Sequence, residues 1–110
     1  MSLLDSGQGE QLDAEVTALA WSWAYRISGL PSVSDGELPP GQDRRLHLAM
    51  LAVLEQMRTT VETQAGRAAS AAAAAGADYG DMAAAVGMTR QGTRRRWPGR
   101  AEITRTARQS

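Results

Sequence analysis

From Leu12 the chain sets Leu12, Val16, Leu19, Trp23 and Ile27 three or four positions apart, the spacing of one face of an amphipathic α-helix. Trp21 and Tyr25 lie on a second stripe beside it. Residues 1–10 are polar, contain Gly7 and Gly9, and are expected to be disordered. Gly29, Leu30 and Pro31 close the first helix, and GLPSVSDGELPPGQ (29–42) is a loop by its turn chemistry. Asp43 is the expected N-cap of a second helix, with Pro39 and Pro40 just upstream. Its segment LHLAMLAVL (46–54) is apolar almost all round, which predicts burial on more than one side.

Beyond Met57 the pattern thins to Val61, Ala65 and Ala68, and the helix either continues or breaks near Gly66. AASAAAAA (68–75) is helix by the propensity of alanine, closed by Gly76. Asp78 is placed to cap a short helix, with Asp81 near its first-turn amides. That helix runs to Val86 and stops at Gly87; Thr89 caps the next, which ends at Trp97 before Pro98. No alternating strand pattern occurs. The expected fold is all-α, with a helical hairpin over 11–62, a helical unit over 63–99 and a basic tail over 100–110.

Composition narrows the chemistry. A chain of 110 residues makes one domain, or a small domain with an appended hairpin. Cysteine is absent, which excludes disulfides, zinc–thiolate sites and thiol nucleophiles. The N-terminus lacks the basic-then-apolar order of a signal peptide, and no apolar run spans a bilayer. A soluble protein of the cytoplasm is expected. His47 is the lone histidine, flanked by Leu46 and Leu48, and reads as a boundary or core residue. Asp78 and Asp81 read as capping residues, so no metal site and no cofactor are expected. Neither a nucleophile–base pair nor a glycine-rich phosphate loop is legible, and the chain is expected not to be an enzyme.

A formal net charge of zero conceals a division. Residues 1–62 carry nine acids against four arginines, and residues 63–110 carry eight arginines against Asp78, Asp81 and Glu102. Every basic residue other than His47 is arginine. Such asymmetry points to a polyanion-binding end joined to an end with another task.

Residues 67–97 place a small residue, Ala83, four positions before Gly87, where a tight turn requires positive φ. Met82, Val86 and Met88 supply apolar contacts and Trp97 closes the back of the last helix. The segment AAAAAGADYGDMAAAVGMTRQGTRRRWPG resembles the helix-turn-helix segments of small actinobacterial regulators and nucleoid proteins. Their pattern runs A-G-A-x-[WY]-x-x-[IM]-A-x-x-x-G-[VM]-[ST]-R-Q-x-x-x-x-R-[WF]. The resemblance covers about 30 residues, and the usual Val, Ile or Ala in the middle of the second helix is here Thr93, beside Gly92.

The resemblance implies double-stranded DNA as partner, with the last helix in the major groove. Arg90, Gln91 and Arg94 are then the candidates for base reading, since arginine pairs with guanine and glutamine with adenine. Thr89, Arg95, Arg96 and Arg100 are candidates for phosphate, with Arg105 and Arg108 on the tail. Such units bind as dimers, and Trp21, Trp23, Leu46, Met50, Leu54 and Met57 are the candidate homodimer or partner surface in the hairpin. The alternative is that the hairpin packs on the C-terminal helices as one core. A transcriptional regulator or nucleoid-associated protein is the leading expectation. Its rivals are a protein–protein adaptor using the acidic, aromatic hairpin, and a DNA-binding accessory of a phage, plasmid or recombination system.

Overall fold

A computed structural model describes residues 2–30 and 41–100. Among these residues there are four α-helices and no strand: α1 (Ser6–Ser28), α2 (Gln42–Ala74), α3 (Tyr79–Val86) and α4 (Arg90–Arg96). The all-α expectation is met. The described chain divides into two compact units, residues 8–60 on the one hand and residues 2–7 with 61–100 on the other. The boundary expected at 62/63 thus falls between Thr60 and Val61.

Half of the leader expected to be disordered is helical: α1 begins at Ser6. Extending an existing helix adds a hydrogen bond for each residue ordered, so propagation through Gly7 and Gly9 costs little beside nucleation. Ahead of the helix, the Leu3 amide donates to the Ala85 carbonyl at 2.8 Å, and Ser2 forms an isolated antiparallel bridge with Val86.

Within residues 8–60 the inward face of α1 is not the predicted one. Ala20, Ala24 and Ser28 are buried, four positions apart, whereas Leu12, Val16, Leu19, Trp23 and Ile27 stay 42–53% exposed. Small side chains let another backbone approach closely, and the large residues about 100° away are left outside. Trp21 is half-buried, its ring meeting the His47 imidazole edge-on at 5.8 Å. His47 Nδ1 lies 2.8 Å from the Asp43 carbonyl and 3.3 Å from the Asp43 carboxylate. Asp43 therefore sits in the first turn of α2 rather than capping it.

On α2, Leu46 is buried and Met50, Val53 and Met57 are half-buried, whereas Leu48, Leu51 and Leu54 are exposed. The run 46–54 is thus buried along one side only. Of the expected dimer surface, Leu46 is buried, Trp21, Met50 and Met57 are half-buried, and Trp23 and Leu54 are exposed.

The helix from Gln42 is continuous through Gly66 to Ala74. A mid-helix glycine costs about 1 kcal/mol relative to alanine, and the flanking alanines outweigh it. A Cβ built on Gly66 would meet only Nη2 of Arg100, at an ordinary 3.5 Å. Gly66→Ala should therefore raise unfolding free energy by about 0.5–1 kcal/mol, read as a higher midpoint in urea at unchanged slope.

In the other unit, Ala69 and Ala73 of α2 join Tyr79 and Met82 of α3 in the core, with Ala72, Ala77 and Trp97 packed partly against it. Val86 and Met88, expected to supply apolar contacts, are exposed. The alanine face of α2 takes their place, because residues without a long side chain let α3 lie close.

Candidate nucleic-acid interface

The site is built by two short helices and the turn between them. Asp78 caps α3 in a reciprocal box: the Asp81 amide donates to Asp78 Oδ1 at 2.8 Å, and the Asp78 amide donates to Asp81 Oδ2 at 2.9 Å. The Asp81 amide holds the Asp78 carboxyl below the ordinary carboxylate range against the opposing effect of desolvation; the Asp81 side chain, the Arg90 charge and the Gly80 amide add to the lowering. A folded pKa below the unfolded one stabilises above the unfolded value and is lost as pH falls through the folded one. Acidification from neutral pH to below about pH 4 should therefore weaken this unit. Asp78→Asn, which still caps but does not titrate, should flatten that part of the pH dependence in thermal melts.

Gly87 closes α3 with φ 72° and ψ 32°, and its amide donates to the Ala83 carbonyl. This left-handed conformation is the one predicted, and glycine adopts it without the steric cost a Cβ brings. Thr89 then caps α4, its Oγ1 accepting from the Gly92 amide at 2.9 Å. A Cβ on Gly92 would stand 3.0 Å from that oxygen. The close cap accounts for glycine at a helical position where propensity disfavours it.

Thr93 is fully buried, and its hydroxyl donates to the Thr89 carbonyl at 2.8 Å. Threonine has the shape of valine, so it fills the inward position with its polar atom satisfied inside the helix. Tyr79, 1% exposed, locks the far end: its hydroxyl donates to the Trp97 carbonyl at 2.5 Å and accepts from the Arg100 amide at 3.1 Å. Trp97 is itself half-buried and ends α4, its amide donating to Thr93.

With Thr93 inward, the helical period sets Gln91 and Arg95 on the opposite ridge, and both are exposed. Arg96 lies on one flank; Arg90 and Arg94 lie on the other, toward α3. The Arg94 guanidinium stands 5.2 Å from the Tyr79 ring centroid, within cation–π range. Arg90 reaches back over the start of α3, where a Cβ on Gly80 would come within 2.7 Å of its Nη2. Arg100, half-buried, donates from Nη1 to the Pro98 carbonyl and lies beside Gly66 of α2.

The candidates named from sequence therefore separate. Gln91, Arg95 and Arg96 present their side chains outward. Arg90 and Arg94, also exposed, lean onto α3, Arg100 lies half-buried beside α2, and Thr89 serves the cap. Arg105 and Arg108 lie outside the described residues. Both ridge residues are among the sequence candidates, Gln91 for a base and Arg95 for a phosphate, but spacing from the helix start did not single out their common ridge. Taking Thr93 as the inward position and counting two residues in either direction finds it. The anchoring role of Tyr79 was also missed; its signal was an aromatic residue directly after the N-cap aspartate.

From Met82 to Arg100 the sequence contains no acidic residue. The positive field of α4 is thus not neutralised from within this stretch. Among the described residues no group of acids, histidine and cysteine is placed to hold a metal ion, and no helix is long and apolar enough to cross a membrane. Compared with known proteins, the chain matches no family model, and no curated protein or solved structure is significantly similar to it.

Proposed function

We propose that this chain is a non-enzymatic DNA-binding protein, a transcriptional regulator or nucleoid-associated protein, in which α3, the Gly87 turn and α4 act as a helix-turn-helix unit. The observation that carries the reading is the division of α4 between a fully buried Thr93 and an exposed face bearing Gln91, Arg95 and Arg96. A helix capped at both ends and anchored on its back by Thr93 and Tyr79 presents those side chains in a fixed register. Such pre-organisation lowers the ordering cost that a flexible basic tail would meet on binding.

In the major groove, Gln91 fits the N6/N7 edge of adenine and Arg95 the O6/N7 edge of guanine. Arg96 on the flank suits a phosphate, as do Arg90 and Arg94 once they swing away from α3. This assignment moves base reading one step around the helix from Arg90 and Arg94 to Arg95.

The test is titration of labelled random-sequence duplex, read by fluorescence anisotropy at several salt concentrations. Binding should fall as salt rises, with a log–log slope of about −0.9 for each phosphate neutralised. Three to five contacts give a slope of roughly −3 to −5. No binding at low salt, or binding indifferent to salt, would remove duplex DNA as the ligand.

A further inference from the structure

The apolar stripe of α1 is left without a partner inside its own unit. Leu12, Val16, Leu19, Trp23 and Ile27 run along one side of the helix, each 42–53% exposed. Scattered exposed hydrophobic residues are ordinary, but a continuous ridge of five marks an interaction surface. Its flank carries Glu15 near one end and Arg26 near the other, with Arg26 stacked 4.1 Å from the Trp23 ring centroid.

We propose that this stripe is covered by the same stripe of a second copy of the chain, running antiparallel about a two-fold axis midway between Leu19 and Ala20. In that register Leu12 lies opposite Ile27 of the second copy, and the small Val16 opposite the large Trp23. The two Leu19 side chains meet beside the axis, one position apart in level. On the flank, Glu15 stands two positions from the level of the other copy's Arg26, about 3 Å along the helix. Both ends of the pair are therefore matched in size and in charge.

A parallel pairing has neither property. It would set Trp23 on Trp23 and carry Glu15 and the other copy's Arg26 to opposite sides of the pair, with the helix dipoles aligned side by side. An anionic membrane is disfavoured as the occupant because Glu10, Asp13 and Glu15 crowd the first half of the helix.

The area suffices. The five side chains expose roughly 450 Å² per chain, so two copies close about 900 Å², and the flanking charged stems carry the total past the ~1,000 Å² of a specific interface. An interface of this kind is isologous, the usual form of a homodimer. The pairing is independent of the DNA reading and can be tested with no DNA present.

Sedimentation equilibrium of the full chain should give twice the 11.7 kDa chain mass at micromolar concentration. Leu19→Asp places two carboxylates beside the axis and should weaken association more than 100-fold, while circular dichroism retains the helical signal because Leu19 is exposed. Glu15→Arg should weaken the dimer about tenfold, and Glu15→Arg with Arg26→Glu should recover most of that loss. A wild-type chain that stays at single mass at 100 µM overturns the proposal. A dimer indifferent to Leu19→Asp removes it from this stripe. A double exchange no better than Glu15→Arg alone overturns the antiparallel register.

Discussion

Tyr79→Ala should unfold the α3–α4 unit. Tyr79 and Thr93 are the largest fully buried side chains among the described residues, and the cluster around Tyr79 otherwise consists of two alanines and one methionine. Truncating a buried aromatic residue costs about 3–5 kcal/mol, and so small a core has little to offset it. The substitution also frees the Trp97 carbonyl and the Arg100 amide, which the Tyr79 hydroxyl joins across 18 and 21 residues of chain. The expected result is loss of the α3 and α4 helical signal in circular dichroism at room temperature. Tyr79→Phe keeps the ring and loses only the hydroxyl, so it should cost about 1–3 kcal/mol and remain folded. A urea midpoint for Tyr79→Ala indistinguishable from wild type would remove Tyr79 from the core. Trp97 is only half-buried, so its truncation should cost less than that of Tyr79.

Replacing Gln91 and Arg95 together by alanine should abolish sequence preference while leaving non-specific binding in place. The two side chains share the ridge opposite Thr93, and each bidentate base contact is worth about 1–3 kcal/mol of discrimination. Removing both should lower the ratio of preferred-site to scrambled-site affinity by at least tenfold, since 1.4 kcal/mol is a factor of ten. Arg96→Ala should instead weaken every sequence alike and make the salt slope shallower by about 0.9. Arg94→Ala separates the two alternatives for that residue. If its guanidinium chiefly covers the Tyr79 ring, stability falls and preference does not change. A shift in preferred sequence on Arg94→Ala, with none on Arg95→Ala, would return base reading to the flank nearer α3.

Several features of the site were legible because they depend on bonds closed within a few residues. Asp78 with Asp81, Gly87 and Thr89 each took the role their position dictated, since a cap or a left-handed turn is decided by local amides and local φ. Gly66 was ambiguous on the same local terms: propensity counts a cost of about 1 kcal/mol against alanines that favour helix. The extra turn from Ser6 was missed because glycines and polar residues carry no hydrophobic period.

The two faces of α1 show where local reasoning ends. Periodicity established that Leu12, Val16, Leu19, Trp23 and Ile27 share one side of a helix, and that inference holds. It supplied no means of knowing that Ala20, Ala24 and Ser28 would be the buried side. Hydrophobicity ranks a leucine ridge above an alanine ridge, whereas close packing favours the side on which backbones can approach. Periodicity likewise left open which side of a segment apolar nearly all round would be covered: Met50 and Met57 are half-buried and Leu48 and Leu51 exposed.

What the sequence by itself determined is the class of the fold, the extent of the last two helices, their caps and turn, and the concentration of arginine toward the C-terminus. Each follows from interactions between residues near one another in the chain. Only the tertiary structure decided which arginines face outward, that Tyr79 ties α3 to the end of α4, and which stripe of α1 remains uncovered. Those outcomes depend on pairs such as Tyr79 with Trp97 and Arg100 with Gly66, whose meeting depends on how the elements pack and has no trace in local spacing.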